Sequence, residues 1–170
     1  MTSGLVLPAD LMDEIDRILA HLQHKTQAGC ILLADISGQL ISKQGQMRDV
    51  DPVILAALTA GNMAATAEIA RQINEKTPFK LLFHEGERQN IYLSNVGGSF
   101  LLVVAFNVTV QIGLVRLFTR QAVKQLVPLA EEFEALQAQP GEAIDADFGD
   151  ALAIEMESAF SDWEATQRLN

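Results

Sequence analysis

The side chains able to do chemistry are few and scattered along the chain. His21 and His24 stand three apart in a stretch of helical period, a spacing that turns two imidazoles to one side. A zinc site needs a third and usually a fourth ligand, and none is spaced to follow. Asp13 with Asp16, and Glu131 with Glu132 and Glu134, lack the apolar enclosure of an acid/base dyad and read as solvated helix faces. Cys30 is the single cysteine, so no internal disulfide is available, and its place inside an apolar run predicts a buried small hydrophobe rather than a nucleophile. Neither Gly-x-x-x-x-Gly-Lys-Ser/Thr nor Gly-x-Gly-x-x-Gly occurs, so nucleotide binding through such loops is not expected. Arg116, Arg120 and Lys124 stand near the start of a helical stretch, where the helix dipole disfavours cations. Solvation or an anionic partner must compensate. No catalytic residue, no metal and no cofactor is expected.

Composition narrows the classes further. The chain has 170 residues, 49% of them hydrophobic, which is enough to fill the core of one domain. A formal charge of −10 repels a phosphate backbone, so nucleic-acid binding is disfavoured. The first ten residues carry no basic flank, and the run from Phe100 to Phe106 is far shorter than the roughly 20 residues of a membrane-spanning helix. The expectation is a soluble, cytoplasmic protein without a membrane span. Residues 141–170 hold eight acids and one base, a net of −7, against −3 for everything before them. Pro140-Gly141 interrupts the chain just ahead of that acidic stretch. The expected division is therefore a folded domain over residues 1–138 and, over 139–170, a linker with an acidic amphipathic helix.

The elements that must hold these residues follow from periodicity. Pro8 and Asp10 open a helix on which Leu11, Ile15, Ile18, Leu19 and Leu22 recur at helical spacing. Cys30–Ala34 and Gln39–Ser42 flank Asp-Ile-Ser-Gly and predict two strands joined by a tight turn, the first apolar on both faces and therefore central. Asp51-Pro52 starts a second helix, about Pro52 to Asn74, with two apolar stripes. Ile54, Leu58, Ala65, Ile69 and Ile73 are expected to pack on the sheet. Ala57, Ala60, Ala64 and Ala67, with Gly61 between them, are expected to admit the backbone of a partner helix, because Gly61 otherwise weakens the helix without a packing reason. Phe79–His84, Asn90–Ser94 and Phe100–Phe106 predict three more strands. From about Val110 the period is helical again, with Leu114, Phe118, Ala122, Leu126, Leu129, Phe133 and Leu136 as the apolar stripe and Pro128 as a kink or an end. The order is αββαβββα: an α+β sandwich of a five-stranded antiparallel sheet and three helices, plus the C-terminal amphipathic helix.

With these pieces in place the chain resembles the Roadblock/dynein light chain family, within it the bacterial stand-alone MglB-like branch. The resemblance rests on Gly29-Cys-Ile-Leu-Leu-Ala-Asp-Ile-Ser-Gly38, on the helix opened by Asp51-Pro52, on Gly98-Ser-Phe-Leu-Leu-Val-Val-Ala105 and on Ile112-Gly-Leu-Val-Arg-Leu117. It covers about residues 9–137. The resemblance implies a homodimer in which the second helices lie antiparallel and the third strands pair, giving a continuous ten-stranded sheet. It also implies a non-enzymatic regulator or scaffold whose paired second helices meet a small Ras-like (MglA-type) GTPase and modulate its GTP hydrolysis or localisation. Carried to this sequence, the dimer or GTPase interface comprises Ala57, Ala60, Gly61, Ala64, Ala67, Glu68, Phe79, Leu81 and Phe83.

The acidic stretch is an addition to that pattern. Phe148, Leu152, Met156, Phe160 and Trp163 recur at helical spacing among its acids and are expected to dock on a surface, either beside Arg116, Arg120 and Lys124 or on the second helix. Two other functions fit a sheet with flanking helices: a PAS- or GAF-like small-molecule sensor, which needs a pocket with polar anchors, and a light-chain-like adaptor that grips a peptide.

Overall fold

Strand β1 (Cys30–Asp35) is buried at all six positions, as its unbroken apolar run requires, and lies inside the sheet. In the computed structural model, which describes residues 7–138, helix α1 (Ala9–Thr26) precedes it and β2 (Leu40–Gly45) follows it. The chain then forms α2 (Pro52–Gln72), β3 (Leu81–His84), β4 (Gln89–Val96), β5 (Phe100–Asn107) and α3 (Ile112–Ala138). The five strands make one antiparallel sheet in the order β2-β1-β5-β4-β3. The expected element order and sheet are thus observed. The chain divides into two compact units, Met1–Glu134 and Ala135–Asn170, and the described part of the second is the last turn of α3. The expected C-terminal helix and its Phe148, Leu152, Met156, Phe160 and Trp163 lie outside the described residues.

Turn chemistry explains the hairpins. Asp35 Oδ1 accepts from Ser37 N and Gln39 N at 2.9 Å each and from Ser37 Oγ at 2.6 Å, closing the β1–β2 turn locally. Gly38 sits there at φ +91°, and a Cβ on it would lie 2.8 Å from Ala57 Cα. Only glycine lets the turn and α2 approach so closely.

The alternation of the strands splits the core between the two faces of the sheet. Ile31, Leu33, Tyr92, Phe100, Leu102, Val104 and Phe106 face α1 and α3, where Ile15, Leu19, Val115, Leu126 and Phe133 meet them. Phe100 and Phe133 pack at 4.8 Å between ring centroids. Cys30, Leu32, Leu93, Val103 and Ala105 form a thinner core on the opposite face, joined by Leu55 and Met63 of α2. The molecule is therefore three layers: α2, the sheet, and α1 with α3.

Two expectations for α3 are corrected. Its buried stripe is Val115, Thr119, Ala122, Leu126, Ala130 and Phe133, whereas Leu114 and Leu136 are exposed. Pro128 neither ends nor splits the helix, because it sits on the solvent side, where water can satisfy the carbonyl that its missing N–H leaves unpaired. Asp16 is half-buried and Glu134 exposed, as solvated carboxylates should be, and they also accept from Ser42 Oγ and Ser99 Oγ, tying α1 to β2 and α3 to the start of β5.

Candidate functional site

Helix α2 begins where Asp51 caps it, its carboxylate accepting from Val53 N at 2.8 Å and Ile54 N at 3.2 Å, with Pro52 in the first turn. From Pro52 to Ala67 it carries no charged residue. Neither of its two expected apolar stripes is the face on the sheet, which shares only Ala60 with the alanine stripe. Ile54, Leu58, Ile69 and Ile73 are 59%, 67%, 54% and 61% exposed, and Ala65 is exposed with them. The face on the sheet is Ala56, Thr59, Ala60, Thr66 and Ala70.

Close approach is the physical reason that small side chains, not the isoleucines, meet the sheet. The helix lies over the Gly38 turn, where Ala60 Cβ would be 3.2 Å from a Cβ at position 38, and no branched side chain fits in that gap. The two threonines on the same face satisfy their hydroxyls within the helix, Thr59 to the carbonyls of Leu55 and Ala56 and Thr66 to that of Asn62. Ala60, expected at an intermolecular contact, is therefore enclosed by its own sheet. Ala57, Gly61, Ala64 and Glu68 are not buried with it: Ala57, Ala64 and Glu68 face outward beside Gly61, and Ala67 is half-buried. Gly61 meets no atom within 4 Å of a Cβ built on it, so nothing within the described residues explains its presence.

A helix apolar all round normally lies buried. Alone among the described residues, α2 has the length and composition of a membrane-spanning helix, yet here one side of it packs on the sheet. The other side leaves Val53, Ile54, Leu58, Ile69 and Ile73 to water. The sheet ends in β3 beside it, a four-residue edge strand paired only with β4. Phe83 stacks on Phe106 at 6.4 Å between centroids, and Leu81 joins the same core, so both project to the α3 side of the sheet.

That side also holds a cavity of about 670 Å³ between the β3–β4 hairpin and α3. Its apolar lining comes from Phe79, Leu81, Tyr92, Val123 and Val127, and its cations are Lys80, Arg116, Arg120 and Lys124. All four cations are exposed. Burial pushes the Tyr92 phenol above its ordinary value, while the guanidinium groups of Arg116 and Arg120 pull the other way, which places both charges near the ring. Sequence reasoning found the three α3 cations but missed Lys80 and the apolar lining, because those come from separate elements. Burial likewise raises the Cys30 thiol, against the opposing pull of Lys43, so the cysteine is a core residue. Among the described residues, no three His, Cys, Asp or Glu side chains come together as metal ligands.

The described residues form three layers around an open five-stranded antiparallel sheet, and the middle helix exposes Val53, Ile54, Leu58, Ile69 and Ile73. The Roadblock/LC7 domain matches residues 14–106, and the chain belongs to that family of regulatory domains. It is similar to Myxococcus xanthus MglB, with 36% identity over 76% of this chain and 96% of that one and a TM-score of 0.71. The gliding protein MglB of Thermus thermophilus shares 30% identity over 78% and 99%, with a TM-score of 0.69. An MglB in a tetrameric arrangement shares 29% over 78% and 99%, with a TM-score of 0.72. No curated protein sequence matches significantly.

Proposed function

We propose that two copies of this chain join through α2 and the outer edge of β3 into a homodimer with a continuous ten-stranded sheet. The paired α2 surface then binds a small Ras-like GTPase in a bacterial cytoplasm and modulates its GTP hydrolysis or localisation. The carrying observation is the outward stripe of Ile54, Leu58, Ile69 and Ile73 on a helix whose inner face is already satisfied by the sheet. Side chains of that size stabilise association by about 1.5–3 kcal/mol each when fully buried. Gly61, open on its own chain, supports close passage of a second helix. The edge of β3 supports strand pairing, since its outward N–H and C=O groups are left for another strand. Similarity to MglB proteins supports the choice of a GTPase as partner. The chain supplies no catalytic group in this reading, and any change in hydrolysis arises from repositioned residues of the GTPase or from an arginine offered to it.

Ala64→Arg tests the reading, because Ala64 is exposed and the arginine disturbs no core contact. The expected result is a folded chain that neither self-associates nor binds a GTP-loaded Ras-like GTPase. Self-association and binding equal to the unsubstituted chain would overturn it.

A further inference from the structure

The groove between the β3–β4 hairpin and α3 is graded along its length, and both of its walls belong to the compact unit Met1–Glu134. At one end stand Tyr92, Arg116 and Arg120, and the pull of the two guanidinium groups on the phenol places their charges near its hydroxyl. Arg116 and Arg120 are four residues apart and so share one face of α3. At the other end Val127 meets the turn after β4, its carbonyl oxygen 3.7 Å from a Cβ built on Gly97. Phe79 lies at that end too, because Asn95 N donates to Lys80 O at 3.1 Å and holds the approach to β3 beside the end of β4. Among the described residues the ion pairs are Arg17 with Glu14 and Arg71 with Glu68, and neither uses a cation of the groove. Tyr92 is only 4% exposed and lines the cavity, yet its hydroxyl makes no hydrogen bond among the described residues. A phenol so enclosed calls for a partner within the groove.

We propose that the groove is a binding site for a single-chain amphiphile with a carboxylate head. The head sits between Arg116 and Arg120 and accepts from the Tyr92 hydroxyl, and the alkyl chain lies along Val123 and Val127 toward Phe79. Three observations select this chemistry. Two guanidinium groups on one helix face and an unpartnered phenol converge as donors, which suits a carboxylate and gives a cationic or neutral head nothing comparable. The walls beyond them are aliphatic and aromatic, so an alkyl chain gains by leaving water there, and a small hydrophilic anion leaves that end of the groove unused. The space suits one molecule: about 670 Å³ lies within the ordinary range of small-molecule pockets, and the groove runs about 16 Å along α3 from Arg116 to Val127. The groove lies on the α3 side of the sheet, so the inference does not rest on α2 as an interface.

Laurate, kept below its critical micelle concentration and titrated calorimetrically into the full chain, is the probe. The expected result is saturable binding of one laurate per chain, with dodecyltrimethylammonium bound at least about tenfold more weakly. Arg116→Gln/Arg120→Gln, at two exposed positions, should weaken laurate binding at least about tenfold. Tyr92→Phe, which keeps the ring in the core and removes only the hydroxyl, should weaken it several-fold. Both variants should keep the circular dichroism of the unsubstituted chain. Leu58→Asp/Ile69→Asp, at exposed positions of the helix across the sheet, should bind laurate unchanged even where self-association is lost, which tells a failure of the α2 interface from a failure of the groove. No saturable binding, several laurates per chain, or equal affinity for the cationic amphiphile would overturn the proposal. Binding that survives the arginine substitutions but disappears with those of Leu58 and Ile69 would place the molecule on α2 and overturn it too.

Discussion

Single residues set what can be tested without reference to any partner. Gly38 holds a left-handed turn against α2, so Gly38→Ala strains the backbone and drives a methyl into Ala57. The expected loss is about 2–3 kcal/mol of stability, read by denaturant unfolding. Thr119 Oγ1 is fully buried without a hydrogen-bond partner among the described residues. Thr119→Val removes that orphan at nearly constant shape and should raise stability by about 1 kcal/mol in the same assay. Cys30 predicts a pH dependence. Burial lifts its pKa above the ordinary 9.0, so the folded chain keeps the thiol proton where the unfolded chain has lost it. The associated stability is full below the unfolded pKa and drains away as pH rises through the folded one. Cys30→Ala should flatten the fall in unfolding midpoint as pH rises through and above that ordinary value, and a slope equal to the unsubstituted chain would contradict the assignment. The inert character of Cys30 was legible in the sequence from its apolar neighbours. The orphan hydroxyl of Thr119 was not, because satisfaction depends on neighbours that only the folded chain brings near.

At the scale of elements, strong signals carried through. The Asp51-Pro52 start, the Asp-Ile-Ser-Gly turn and the unbroken apolar runs of β1 and β5 each act within a few residues, so their outcome is local. The sequence showed two stripes on α2, but the face that meets the sheet is neither of them. Hydrophobicity favours the isoleucine stripe, whereas the narrow gap over Gly38 admits only small side chains, Ala56, Thr59 and Ala60 among them, and that gap is set by the turn and the sheet together. The stripe of α3 was off by one position at Leu114 for a related reason, since its burial depends on how the helix rotates onto β4 and β5. Gly61→Ala probes α2 as an element. In the isolated chain the methyl meets nothing and helix propensity gains up to about 1 kcal/mol, so thermal stability under dissociating dilution should rise. Self-association should weaken, because in the proposed dimer the new methyl stands where the second helix would pass.

At the largest scale the described residues form a sheet covered on one face by two helices and on the other by a single helix that remains greasy outside. Among the described residues the α1–α3 face holds a thick core and the α2 face a thin one, and the exposed stripe of α2 is apolar surface that another macromolecule can remove from water. Membership of the Roadblock/LC7 family and similarity to MglB proteins fit a molecule that works by assembling. The most direct test is sedimentation equilibrium of the full chain at micromolar concentration, with and without Leu58→Asp/Ile69→Asp, two exposed positions whose change leaves the core untouched. The expected outcome is a dimer for the unsubstituted chain and association weakened at least about 100-fold in the double variant, which becomes a folded monomer. A monomeric unsubstituted chain, or a variant that dimerises as tightly, would contradict it.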